Sequence, residues 1–266
     1  MFEKYKVDNL QALIVNYLTA AGCSYFFLEQ DFSLNHVLNS EWLYHAMIIG
    51  TLFIIVFNFY AFGTQKVGIA VTTVANKMSL IIPVCAALIL YPENNTFNEL
   101  KGIAFFLALA GIYLSSTKGG KLSFDKKYLW LIILIFVGQG ISDSIFNDFA
   151  QKFPNEGGYL FFMILFFMAS ISGILILIGK SIKTKNKLQL KSIFWGVIFG
   201  VPNFFSLLFF LKALGSMSSS EVFPLVSMGV VVSSSLIGLL LFKEKLTKSN
   251  WIGILLSICA IYIFSY

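Results

Sequence analysis

The 266-residue chain contains no arginine. All 19 of its basic residues are lysine, and charged residues of both signs make up only 12% of it. A soluble globular chain carries about twice that share of charge. Without arginine the chain lacks the side chain best suited to bidentate contact with phosphates and bases. The formal net charge of +6 therefore does not mark a nucleic-acid-binding surface. The two histidines, His36 and His45, are too few and too isolated for a metal site. The three cysteines, Cys23, Cys85 and Cys259, form no C-x-x-C pair and no disulfide framework, and each is expected as a small buried hydrophobe. No Ser/His/Asp set, no H-E-x-x-H and no glycine-rich phosphate loop is present, Walker A included. Neither an enzyme nor an ATP-driven pump is expected, and no cofactor or metal.

What the chain has is apolar length. Hydrophobic residues make up 58% of it, and its mean hydropathy is +0.82. Such a composition excludes a water-soluble enzyme and a disordered chain, and points to a polytopic membrane protein. A helix of about 20 residues crosses the ~30 Å hydrocarbon core. Nine runs of about that length emerge: 11–28, 42–62, 67–91, 98–116, 128–150, 158–180, 191–214, 217–242 and 249–265. Together they take up about three quarters of the chain and leave no room for a soluble domain. Their length fits helices rather than the ~10-residue strands of a barrel. The expected fold is an all-α polytopic membrane protein with nine transmembrane helices. The residues from Met1 to Tyr17 carry no convincing cleavage signature, so no cleavable signal peptide is expected.

Lysines alternate between the connections. With the N-terminus inside, fifteen fall in inside segments, and only Lys101, Lys152 and Lys212 fall outside; Lys77 lies within a run. The loop 29–41 carries Glu29, Asp31 and Glu41 and no lysine. The positive-inside rule then places the protein in the cell (inner) membrane as a multi-pass chain, N-terminus inside and C-terminus outside.

The chain also repeats itself. Ala61-Phe62-Gly63 matches Ala213-Leu214-Gly215 at an offset of 152. After one gap the offset is 151, where Glu93 falls on Glu244, Gly102-Ile103 on Gly253-Ile254, and Ile112 on Ile263. Lys4-Tyr5 sits against Lys152-Phe153 at an offset of 148. The halves are 1–116 with four helices and 128–266 with five, joined by a basic linker, 117–127. Run 128–150 has no counterpart in the first half. The expectation is a ten-helix parent whose first helix is missing here, Phe2-Glu3-Lys4-Tyr5 reading as the exit of that helix. Five helices per repeat invert the second half relative to the first, and the opposite charge of the equivalent loops after 11–28 and 158–180 agrees.

This duplication, with Glu244-Lys245-Leu246-Thr247 before Asn250-Trp251-Ile252-Gly253, resembles the drug/metabolite transporter superfamily and its EamA-like permease family. Tyr91-Pro92-Glu93 and Leu100-Lys101-Gly102-Ile103 echo the same junction in the first half. The resemblance covers essentially the whole chain. It implies ten helices in an inverted repeat, a central pathway, and export or uptake of small metabolites by alternating access. The chain departs from that pattern in the missing first helix and in the outside C-terminus.

A charge inside a membrane helix costs about 2.5–3.5 kcal/mol or more, so it usually faces a partner or a wet cavity. Lys77 and Asp143 lie well inside runs 67–91 and 128–150. Gln139, Asp143 and Asn147 are spaced i, i+4, i+8 and form one stripe; Thr73, Asn76 and Lys77 cluster at i, i+3, i+4. These residues are the first candidates for a substrate pathway, the structural alternative being a Lys77–Asp143 salt bridge that only fixes packing. Met228 or Gly229 stands at the repeat-equivalent of Lys77, so the expected site is charged on one side only. Asn58 and Asn203 lie in equivalent helices and are further pathway candidates. Glu221 is another, or else a complement to its helix dipole. Pro83, Pro202 and Pro224 are candidate kinks. Gly196 and Gly200 form a GxxxG expected to serve packing. Glu93 and Glu244 are expected as interfacial anchors or loop caps rather than transport carboxylates.

The expected function is a gradient-driven secondary transporter of small metabolites, an exporter of amino acids or similar solutes. Its partners are the lipid bilayer, a small-molecule solute and protons as coupling ions, with room for a homodimer and no nucleic acid. The alternative is a truncated relative that does not transport and acts as an assembly partner.

Overall fold

Lipid offers the backbone no hydrogen-bond partner, so a run that crosses it must satisfy its own amides, which a helix does within one segment. The computed structural model describes residues 7–28, 32–95, 98–116, 125–154, 156, 158–181, 188–241 and 246–264. Among them lie eleven α-helices and no strand. The helices are α1 (Asn9–Phe26), α2 (Leu34–Asn39), α3 (Leu43–Lys66), α4 (Ile69–Met78), α5 (Ile81–Leu90) and α6 (Glu99–Ser116), followed by α7 (Leu129–Lys152), α8 (Tyr159–Ser181), α9 (Leu190–Leu214), α10 (Ser219–Leu241) and α11 (Lys248–Phe264). Six segments are long and apolar enough to cross a membrane: Leu43–Lys66, Val71–Leu90, Lys126–Lys152, Tyr159–Lys180, Leu190–Leu214 and Ser219–Ile237. Helices α1, α6 and α11 occupy the other three expected runs but are not among these six. The protein is an all-helical, multi-pass membrane protein. Residues used in the sequence analysis that lie outside the described ones are Phe2 to Lys6, Glu29, Asp31, Lys118, Lys121, Lys183, Lys185, Lys187, Lys243, Glu244 and Lys245.

Run 67–91 is not one helix. It divides into α4 and α5 at Ser79–Leu80. Pro83 accounts for the break: it has no N–H for the carbonyl of Ser79, four residues back, and its ring crowds that carbonyl. The Ser79 carbonyl instead accepts from Ile82 N at 2.9 Å. Pro202 and Pro224 lie within α9 and α10, which continue past them. Gly68, between α3 and α4, has φ 98°, a conformation few other residues adopt. The acidic connection 29–41 holds the short helix α2, whose N-terminus Ser33 caps.

Two compact units form, each drawing on both sequence halves. The first comprises residues 1–58 and 148–215, the second 59–147 and 216–266. In the first, α1 packs on α8 and α9. Asp8 opens α1, its carboxylate accepting from Gln11 N. Along α1 and α9 the pairs run in step: Asp8 N to Ser192 Oγ at 3.0 Å, then Asn16 to Asn203 at 2.7 Å, so these helices are parallel. The expected GxxxG does serve this crossing. A Cβ on Gly196 would lie 2.6 Å from Val15 Cβ, and one on Gly200 2.5 Å from Thr19 Cβ. Against α8 the order reverses. Ser24 donates to the Tyr159 carbonyl while Tyr17 stacks on Phe166, so α1 and α8 are antiparallel. The core here is aromatic: Tyr17, Trp42, Phe149, Phe161, Phe162, Phe166 and Phe204 are fully buried.

In the second unit, α6 packs on α11 and on α4, and α10 packs on α5, α6 and α11. The α6–α11 crossing uses Gly111 and Ser115 against Gly253 and Ser257, small residues four apart on each helix. Asn250 Nδ2 donates to the carbonyls of Leu114 and Ser115 at 3.1 and 2.9 Å, and Ser257 lies against Gly111, so these helices are antiparallel. Cys85 and Cys259 are exposed and Cys23 is only partly buried, which corrects the expectation of buried thiols. An apolar helix surrounded by lipid has no need to bury its small residues, so hydrophobicity alone did not imply burial.

Candidate functional site

The second unit holds the charged candidates. Asn76 and Lys77 sit in the last turn of α4, just before the break; Gln139 and Asp143 sit one turn apart on α7. Asn76 Nδ2 donates to Gln139 Oε1 at 3.0 Å, and Gln139 Nε2 donates to Asp143 Oδ1 at 2.9 Å. The two stripes read from the sequence thus meet as one hydrogen-bonded chain. The amide of Gln139 is oriented by it: its oxygen accepts from Asn76, leaving its nitrogen to serve the carboxylate. Asn76, Lys77, Gln139 and Asp143 all remain partly exposed.

Lys77 and Asp143 interact electrostatically, yet no ion pair within 4.0 Å joins Lys77 to any described carboxylate. The salt-bridge alternative is therefore not what this arrangement contains. Lys77 stands where its charge complements the negative end of the α4 dipole. The site can receive an anion at the ammonium and a hydrogen-bond donor or cation at the carboxylate.

The other candidates in this unit serve different contacts. Thr73 Oγ1 lies 3.0 Å from the Tyr60 hydroxyl. Asn147 is buried and accepts from Ser219 Oγ at 2.5 Å, which ties α7 to α10 rather than extending the polar chain. Glu221, in the first turn of α10, pairs with Lys101 at 2.6 Å, joining α10 to α6. Pro83 sets the break beside Lys77.

In the first unit, Asn203 donates through Nδ2 to Asn16 Oδ1. The two amides line a cavity of about 330 Å³ with Tyr17, Phe57, Phe199 and Pro202. Asn58, on α3 beside Phe57, is partly exposed and does not line it. Asn16 and Tyr60 were not among the sequence candidates. Asn16 had a signal, an amide inside an apolar run, but its partner lies 187 residues away. Nothing local pointed to Tyr60.

Comparison with known proteins bears on this site. An uncharacterized protein of Haemophilus influenzae (strain ATCC 51907 / DSM 11121 / KW20 / Rd) is 31% identical over 264 residues, 96% of this chain and 88% of that protein. A solved crystal structure superposes with a TM-score of 0.74 at 15% identity, covering 97% of this chain and 87% of the other, a likeness of fold. The profile of the EamA-like transporter family matches residues 126–266, more than half of the chain and all of its second sequence half. The chain belongs to the EamA-like transporter family.

Proposed function

We propose that the protein is a gradient-driven secondary transporter of small metabolites that exports amino acids or similar solutes by alternating access. One observation carries the reading: a lysine and an aspartate inside membrane helices, the aspartate joined through Gln139 to Asn76 beside the lysine, partly exposed and not paired with each other. A zwitterion offers a carboxylate to the first and an ammonium to the second. The break beside Lys77 supports it, since discontinuous helices in transporters place backbone and charge at the substrate. The cavity lined by Asn16 and Asn203 adds neutral hydrogen-bonding groups suited to a solute's polar parts.

The inverted duplication of 1–116 and 128–266 is part of this proposal. It is supported by two pairings of equivalent helices, α1 with α8 and α6 with α11, each of which runs antiparallel. Nine spans, with the N-terminus inside the inner membrane and the C-terminus outside, complete it on the lysine distribution.

The test compares the extracellular metabolite profile of cells expressing the native chain with that of a Lys77→Met variant at matched membrane abundance. A solute that accumulates outside only with the native chain is expected. An identical profile for native, variant and empty-vector cells would refute export. Accumulation unchanged by Lys77→Met would remove Lys77 from the path.

A further inference from the structure

A second titratable cluster lies in the first unit. His45, in the first turn of α3, places Nε2 2.9 Å from Asp148 Oδ2 near the end of α7. The same oxygen takes Lys152 Nζ at 3.0 Å, one helical turn on. The His45 ring packs edge-on against Phe153 and tilted against Phe149, with centroids 5.5 and 6.2 Å apart. Behind them Phe149 stacks on Phe161 of α8. From α7 the charged groups facing the ring are thus Asp148 and Lys152, and the rings packed against it are those of Phe149 and Phe153. Glu41 and Tyr44 flank His45 in sequence.

The imidazole's other nitrogen, Nδ1, is buried and has no hydrogen-bond partner among the described residues. An ionised carboxylate only accepts, so Nε2 carries the hydrogen and Nδ1 the lone pair. In this state Asp148 and Lys152 balance each other. A second proton on the ring would sit on Nδ1, as a buried donor with no acceptor among the described residues, and would add a positive charge beside Lys152. A buried polar group without a partner is costly. Binding that proton is therefore linked to a rearrangement that brings Nδ1 to an acceptor or to water. A separation of the α3 N-terminus from the α7 C-terminus, whose side chains pack on the ring, would do this.

We propose that His45, held by Asp148 and Lys152, is the proton-binding site through which pH drives this protein between conformations. The proposal rests on the transporter reading for its purpose, since an exporter driven by protons needs such a site. It is separable from it in test. The purified full chain in lipid nanodiscs is probed with protons alone, by hydrogen exchange of segments 43–60 and 140–153 between about pH 8 and about pH 5.5. After correction for intrinsic rates, exchange at the α7 C-terminus should rise about tenfold at the acid end, the lower range for a buried donor left unpaired. It should stay flat in His45→Gln, and Asp148→Asn should weaken the response. In a His36→Gln background, ¹⁵N signals of His45 at alkaline pH should show the tautomer protonated at Nε2. A native chain with no acid-linked opening, a His45→Gln chain that keeps it, or the Nδ1–H tautomer would each overturn the proposal. None of these results depends on finding an exported solute, so a failed export assay and a failed proton site are told apart. If His45→Gln folds poorly by size-exclusion chromatography, the tautomer measurement on the native ring decides.

Discussion

Replacing Gly200 by alanine puts a methyl group into the crossing of α1 and α9. Its Cβ would lie 2.5 Å from Thr19 Cβ and 2.6 Å from the Asn16 carbonyl oxygen. Ordinary contacts between such atoms are near 3.5–4.0 Å, so the two helices must part locally by about 1 Å. Overpacking of this kind costs about 1–3 kcal/mol. Alanine's better helix propensity returns about 1 kcal/mol, which leaves a net loss of up to about 2 kcal/mol. The same displacement stretches the 2.7 Å Asn16–Asn203 hydrogen bond past the ordinary limit of about 3.2 Å, so the cavity loses its polar lining geometry. Gly22 provides the control. It lies on α1 as well, but a Cβ there meets nothing within 4 Å. Gly22→Ala should therefore be neutral or stabilising by up to about 1 kcal/mol. Unfolding of both variants and the native chain in bicelles, followed by steric trapping, should order them Gly22→Ala, native, Gly200→Ala, with about 2 kcal/mol between the extremes. A Gly200→Ala protein as stable as Gly22→Ala would refute the close approach of α1 and α9, and with it the placement of Asn203 against Asn16.

Asn250 is buried, accepts from Thr247 through Oδ1 and donates through Nδ2 to two carbonyls of α6. Asn250→Ala should cost about 1–3 kcal/mol in the same unfolding assay, because the two hydrogen bonds it donates to α6 are lost, while Asn250→Asp should fail to restore the loss since a carboxylate cannot donate to those carbonyls. Pro83→Ala returns an N–H to the Ser79 carbonyl and favours a continuous helix across 79–80. Its thermal stability should hold or rise while export falls several-fold at matched abundance; unchanged export would mean that the break beside Lys77 is incidental.

Helix positions were legible in the sequence because long apolar runs have one stable backbone solution in lipid. The stripe of Gln139 and Asp143 was legible because i, i+4 spacing places side chains on one helix face. That Asn76 would be the residue to meet it was not, since the join depends on how α4 ends, and that end depends on Pro83 acting on Ser79 four residues earlier. Asn147 kept its place on the stripe but turned to Ser219 because it is buried and needed a partner there. The residues that carried the family resemblance, Asn250 and Gly253, turn out to hold α11 to α6. His45 was set aside because two histidines cannot ligate a metal, a criterion blind to a carboxylate 103 residues away.

Charge is placed in two kinds of environment in this chain. Lys101 pairs with Glu221 where α6 and α10 begin. Near helix ends water and headgroups are close, and an ion pair there fixes packing at small cost. Lys77 and Asp143 lie farther from the ends of the apolar runs that hold them, where each charge costs about 2.5–3.5 kcal/mol or more. Two such costs are comparable with the whole stability of an ordinary domain, about 5–15 kcal/mol. An ion pair would offset much of that, yet the carboxylate accepts from Gln139 and the ammonium makes no ion pair among the described residues. What remains to offset the cost is water, or a ligand that takes its place. Both call for a polar space in the membrane interior, as a transport path requires and a purely structural helix bundle does not.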